Sequence, residues 1–442
     1  MNPFGFFIHA HGTQQMSRPF RHCARIAVVV AACWFALHAP LALAQAQDIP
    51  EAAGDIPIGK RYVVHSATLG EDRQVLVHLP KAYERTQRRY PVLYVLDGES
   101  HFALASSMAD FLADNHRIPE LIVVSIPNTR RDRDLSPPSS APAPKTGGGR
   151  SQPDASGGAE RFLSFLADEL RPWVDSHLRT EDFRILSGHS LGGIFSWYTL
   201  VNRPDAFQAH ITISPSLHLD QGRLASPSTT DAAQKLARMS GRHFMYLSWG
   251  NHEPKLAPKV QELVSWLQVN PPPALQWTHH YYPDETHNSN PHPSLYDGLE
   301  WLFSGWRMPG QEGYWRAPPQ PGQDFTLHEV QAHYAALSDK YGYTVAPSSE
   351  SIQRVAYYRM SHRQHDEAIA LLTQNERDYP EDFGSSAALG DALENAGRWN
   401  DAADAYERAL TLAIEDGPPY TDQADRFRRA AVRNRDMAKR RP

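Results

Sequence analysis

Apolar and polar residues alternate from 61 to 69 and again from 73 to 79, around Gly70-Glu71-Asp72, and this period of two predicts a β-hairpin. Two nearly unbroken apolar runs follow, at 90–96 and 121–126, with a helical stretch near 102–115 between them. Strands that are apolar on both faces and separated by helices predict a parallel sheet covered on both sides. Residues 159–177 carry Phe162, Phe165, Leu166, Leu170, Trp173 and Val174 at helical spacing. Later strands are predicted at 183–186, 209–213, 243–247 and 276–282, and helices at 194–201, 259–269 and 293–303. The fold class is α/β, a doubly wound, mostly parallel sheet, assigned to residues 50–310.

Between these elements, residues 136–158 are rich in Pro, Ser, Gly and Ala without periodicity, which predicts a mobile loop. Around 306–322 the composition shifts to Gly, Pro and Trp, and residues 311–345 read as a linker. Beyond it only helical patterns occur. Glu367-Ala368 and Asp401-Ala402 stand 34 residues apart in related runs, the tetratricopeptide period, so residues 346–435 are expected to form a small all-α repeat domain. Two units are fewer than such arrays need, so this segment should pack on the catalytic domain or on a protein partner.

The N-terminus sets the compartment. Arg18, Arg21 and Arg25 precede an apolar stretch from Ile26 that ends in Ala42-Leu43-Ala44, the pattern of a cleaved secretory signal over residues 1–44, with Met16 as the better start. Periplasmic or secreted location is the expectation, with no stable membrane span after processing. Both cysteines, Cys23 and Cys33, lie in this segment, so the processed chain would have no disulfide. Val30-Ala31-Ala32-Cys33 resembles a lipid-attachment site, although the apolar stretch running past Cys33 argues against it. The length of 442 residues calls for more than one domain. A net charge of −6 with no long basic run argues against nucleic-acid binding. The basic C-terminal stretch from Arg428 to Arg441 includes Asp436 and reads as a solvated helix face or tail.

The strongest chemical signal is Gly188-His189-Ser190-Leu191-Gly192-Gly193, placed after a strand and at the start of an apolar helix. A sharp strand-to-helix turn there would lift the Ser190 hydroxyl above the sheet and aim the Leu191 N–H at a developing oxyanion. A serine needs a base within hydrogen-bond reach, and in sheets with this elbow an acid and then a histidine follow in the chain. His287, between the last strand and the last helix of the sheet domain, is the preferred base, with His292 its rival. Glu253, after the strand at 243–247, is the candidate acid, with a Ser–His dyad as the alternative. The second oxyanion donor is expected from Gly98 or Glu99, in the turn after Leu96. Arg131 and Arg133 follow the end of another strand, where α/β folds build their sites; they read either as a substrate clamp or as structural ion pairs. The histidines show no metal-ligand spacing, and no metal or cofactor is implied.

At 90–102, 126–137, 157–175, 185–198, 213–220 and 285–303 the chain resembles the esterase group of α/β-hydrolases. That group includes ferric-enterobactin and salmochelin esterases, feruloyl esterases, S-formylglutathione hydrolase and mycolyltransferases. The resemblance is closest to the siderophore-esterase branch, in the run Asn128-Thr129-Arg130-Arg131-Asp132-Arg133-Asp134. It implies Ser190 as nucleophile, His287 as base and a substrate-side role for Arg131 or Arg133, acting on a small-molecule ester. The insertion after Pro137 and the C-terminal repeat depart from that branch. The same residues also fit two rival functions: acyl transfer to another alcohol, and a degenerate hydrolase that binds a partner through its repeat.

Overall fold

The expected hairpin is present: β1 (Lys60–Ser66) and β2 (Glu71–His78) pair antiparallel. The turn closes earlier than predicted, at Gly70 with φ 69°, so Glu71 already belongs to β2. The computed structural model describes residues 57–138, 157–227, 230–251, 253–308, 326–417 and 420–440. The signal segment and most of the Pro/Ser/Gly-rich loop lie outside these residues.

The runs that are apolar on both faces form β3 (Tyr90–Leu96) and β4 (Ile122–Ile126), buried throughout. With β5 (Thr180–His189), β6 (Ala209–Ile213), β7 (His243–Gly250) and β8 (Leu275–Tyr282) they complete one eight-stranded sheet in the order β1-β2-β4-β3-β5-β6-β7-β8. The pairings from β4 through β8 are parallel, while β2 joins β4 antiparallel.

Helices cover both faces, as a parallel sheet requires. They are α1 (Gly98–Asp114), α2 (Arg131–Leu135), α3 (Ala159–Ser164, running through a π-helical stretch Phe165–Leu170 into Arg171–His177), α4 (Leu191–Asn202), α5 (Ala232–Arg238), α6 (Ala257–Val269) and α7 (Pro291–Leu302). Along β3, Val92, Tyr94 and Leu96 join a core with Phe162, Phe165 and Phe195, whereas Leu93 and Val95 face Met108, Leu112 and Leu299. This alternation lets a single strand serve two cores.

Residues expected as a linker contain an ordered helix, α8 (Leu327–Tyr341), opened by a Thr326/Glu329 capping box. Val330, Tyr334, Leu337 and Tyr341 recur on one helical face and pack into the sheet domain's own core. The Tyr341 ring lies 5.2 Å from those of both Phe183 and Phe303, and its hydroxyl donates to the Leu302 carbonyl. The short period of α8 is masked in the sequence by the Gly/Pro/Trp-rich stretch just before it.

Beyond α8 come α9 (Ser349–Ser361), α10 (His365–Asp378), α11 (Phe383–Asn395), α12 (Trp399–Asp416) and α13 (Thr421–Arg440). The starts of α9 and α11, and those of α10 and α12, are each 34 residues apart. Small residues such as Ala388, Ala392, Ala402 and Ala409 are fully buried where these helices meet. This helical region touches the loop before β3 through the Arg85–Asp416 and Arg88–Glu381 ion pairs and through Arg88 over the Tyr379 ring. Among the described residues no helix is long and apolar enough to cross a membrane.

Candidate active site

β5 ends at His189 and α4 begins at Leu191, so the whole reversal falls on Ser190, at φ 62° and ψ −113°. A non-glycine residue there is strained by about 1–3 kcal/mol and persists only where its surroundings over-determine it. Ser190 N–H donates to the Ile213 carbonyl at 3.0 Å, and the Ser190 carbonyl accepts from Ile194 and Ser216. Two glycines make room. A Cβ on Gly188 would lie 2.1 Å from the Gly192 carbonyl oxygen, and one on Gly193 2.6 Å from that of Ile213. Gly192, the position that the motif stresses, would meet nothing closer than 3.4 Å. The tight position on the helix side is therefore Gly193.

The elbow brings Ser190 Oγ to 3.0 Å from His287 Nε2. His287 Nδ1 lies 3.3 Å from Glu253 Oε1, and Glu253 is buried. His292 is exposed on the first turn of α7. The loop carrying His287 is stitched to the end of β7 by Asn251 N–H donating to the Glu285 carbonyl at 2.6 Å. The Ser190 hydroxyl, the His287 imidazole and the Glu253 carboxyl thus converge from the ends of β5, β8 and β7. Ser216, buried in the loop after β6, places its Oγ 3.3 Å from that of Ser190.

Leu191 is the first residue of α4, and Gly98 and Glu99 open α1. First-turn N–H groups have no partner within their own helix and carry the positive end of its dipole, so both helices offer donors beside the elbow. Asp97, in the left-handed region at φ 54°, turns the chain from β3 into α1.

The two arginines are occupied by carboxylates of the protein. Arg131 grips Asp97 with Nε at 2.6 Å and Nη2 at 2.9 Å, and Nη2 also reaches the His189 carbonyl at 3.3 Å. Burial alone would raise the Asp97 pKa; the hydrogen bonds and charge of Arg131, with help from Asn128, outweigh it and hold the carboxyl below its ordinary value. Arg133 binds Glu71 through both Nη atoms and Asp134 through Nε, beside Arg73. Arg133 thus stands among ion pairs with Glu71 and Asp134, and Arg131 ties the β3–α1 turn to the elbow. That role was not legible, because the Asp97–Arg131 pair spans 34 residues without a local signature.

His189 packs its ring 4.5 Å from that of His287. Burial first, then the neighbouring His287 and His101, push its pKa down to about 4, so it is neutral at physiological pH.

The family model described as "Putative esterase" matches residues 66–288, half of the chain. This chain belongs to that esterase family. Among curated relatives, this family member is 34% identical over 144 residues to the ferri-bacillibactin esterase BesA of Bacillus subtilis, a match of 29% of this chain and 48% of the relative. It is 30% identical over 175 residues to the siderophore enterobactin esterase of Emericella nidulans, 36% of this chain and 57% of the relative. The chain thus spans about half the length of these two relatives. Among solved structures, the IroE-like serine hydrolase from Shewanella oneidensis superposes with a TM-score of 0.58 at 27% identity, covering 72% of this chain and 99% of that one. A protein from Capnocytophaga ochracea shares the fold at 15% identity, with a TM-score of 0.55 over 84% of this chain and 99% of that one.

Proposed function

We propose that this chain is an exported serine ester hydrolase whose catalytic residues are Ser190, His287 and Glu253. The observation that carries the reading is the 3.0 Å contact between Ser190 Oγ and His287 Nε2, with a buried carboxylate behind the ring. Ser190 Oγ attacks the ester carbonyl carbon while its proton passes to His287 Nε2. Glu253 accepts from Nδ1–H, fixing the tautomer and stabilising the imidazolium. The N–H groups of Leu191 and of Gly98 or Glu99 stabilise the tetrahedral oxyanion. Collapse expels the alkoxide, which takes the proton from His287, and water then releases the acyl group by the same steps.

The names of two relatives, a ferri-bacillibactin esterase and an enterobactin esterase, support siderophore-type esters as the first substrates to try, with other phenolic or acyl esters next. The charged, apolar and Ala-x-Ala pattern of residues 18–44 supports export. The 34-residue spacing of the helix pairs supports a tetratricopeptide-like role for residues 346–435, as a site for a protein partner.

The test is activity-based labelling with a fluorophosphonate, followed by a hydrolysis panel of short aryl, feruloyl, catecholate-siderophore and long-chain esters. Wild-type protein should label and Ser190→Ala should not. His287→Ala should lose aryl-ester turnover while His292→Ala keeps it; the reverse outcome would overturn the assignment of the base.

A further inference from the structure

Behind Glu253 runs a chain of buried polar side chains that the reaction scheme does not use. Ser214 Oγ donates to Glu253 Oε1 at 2.8 Å, and Asn290 Nδ2 donates to Ser214 Oγ at 2.8 Å. On its other side, Asn290 Oδ1 accepts from Ser294 Oγ at 2.7 Å, and Ser294 Oγ accepts from Ser248 Oγ at 2.8 Å. Ser214, Ser248, Asn290 and Ser294 are all fully buried. Four polar side chains without access to water are a costly arrangement unless each proton is placed.

Chemistry fixes every direction in this chain. A carboxylate only accepts, so the Ser214 hydroxyl must point its proton at Glu253. An amide nitrogen only donates, so Asn290 fills the Ser214 lone pair and prevents that hydroxyl from turning round. The carbonyl end of the same amide takes the Ser294 proton, which is what keeps the amide from flipping. Asn290 also stands three residues after His287, in the same loop, and its backbone N–H donates to the Thr286 carbonyl at 3.0 Å. Ser214 is held at φ 40°, an unusual backbone state for serine, and its N–H donates to the Ser248 carbonyl at 2.7 Å. The network is anchored at β6, β7 and α7 together.

We infer that Asn290 is the positioning residue of the acid–base pair: acting through Ser214, it holds Glu253 Oε1 as an acceptor facing His287. This inference rests on the proposed triad. Neither Asn290 nor Ser214 touches the reacting atoms.

The experiment is a double-mutant cycle in the full chain, reading kcat and KM on a short aryl ester together with thermal unfolding. Asn290→Ala should lower kcat by about 10- to 100-fold, the loss typical of groups that orient a catalytic ligand, with KM little changed. In a Glu253→Gln background, Asn290→Ala should cost less than about twofold more, because its route of action is already gone. A merely structural role would cost the same in both backgrounds, so an additive loss overturns the inference. Should Asn290→Ala not fold, Ser214→Ala breaks the same chain one link nearer the acid and carries the same cycle. Unchanged kcat in Glu253→Gln would instead refute Glu253 as the acid; a deficient Glu253→Gln beside a fully active Asn290→Ala would leave the triad standing and refute the positioning role alone.

Discussion

Replacing Arg131 by Ala separates two meanings of that residue. The change removes both hydrogen bonds to Asp97 and the contact with the His189 carbonyl. Among the described residues, Asp97, 6% exposed, would keep the 2.6 Å bond from Asn128 Nδ2. Breaking a buried pair by removing one partner costs about 3–5 kcal/mol; since the Arg131 side chain is a third exposed, water can partly replace it, and about 2–3 kcal/mol is the expected loss. At roughly 2–4 °C per kcal/mol, the melting temperature should fall by roughly 5–10 °C.

The pH dependence has a definite sign. In the wild type Asp97 is held below its ordinary value, so the pair contributes stability above the unfolded carboxyl's pKa of about 3.9 and loses it as pH falls through the folded value. In Arg131→Ala burial remains without its cation, so the Asp97 pKa rises above the ordinary value. The variant is then most penalised near pH 7.5, and protonation relieves the penalty as pH falls towards 5. The gap in melting temperature between the two proteins should narrow over that range. On a short aryl ester kcat should drop, with the roughly 10²–10³ cost of one oxyanion donor as its limit, while KM stays near wild type. A raised KM with unchanged kcat and unchanged melting temperature would refute this reasoning and make Arg131 a substrate contact. A stability gap independent of pH would show that Asp97 is not the group involved.

The glycines of the elbow should respond unequally. Gly188→Ala drives a methyl group into the Gly192 carbonyl and should abolish both soluble expression and aryl-ester turnover, whereas Gly192→Ala, with 3.4 Å of room, should stay within a few-fold of wild type; equal outcomes would contradict the packing described. Tyr341→Ala should cost about 3–5 kcal/mol, seen as a lower melting temperature, because the ring fills the space between Phe183 and Phe303. Titration of competent Ser190 with a fluorophosphonate should show unchanged kcat/KM per folded molecule; a loss without destabilisation would mean that α8 reaches the site.

Much of the sheet was legible because its strands are apolar on both faces, and the elbow was legible because a sharp turn demands small residues at fixed offsets. Ser190, His287 and Glu253 could be nominated from chain order, since each follows a strand that the sequence pattern predicts. What escaped were pairings across sequence distance. Asp97 stands in the turn expected after Leu96, and nothing near it in sequence announced Arg131. Ser214 and Asn290 are ordinary loop residues until folding buries them beside Glu253. α8 escaped for another reason: its apolar face is only four residues long, and a Gly/Pro/Trp-rich segment hides its start.

Phe183 lies near the beginning of β5 and Ser190 just past its end, about 23 Å apart at the rise of an extended strand. Tyr341 packs on Phe183 near the start of β5, and Arg85 and Arg88, just before β3, pair with Asp416 and Glu381 of the helical region. The helical bundle is thus gripped like a handle at the end of the sheet away from Ser190. On the proposed function, a molecule that captured this protein by its bundle would leave Ser190 facing away from the tether, which would change where ester hydrolysis happens without changing how fast it runs.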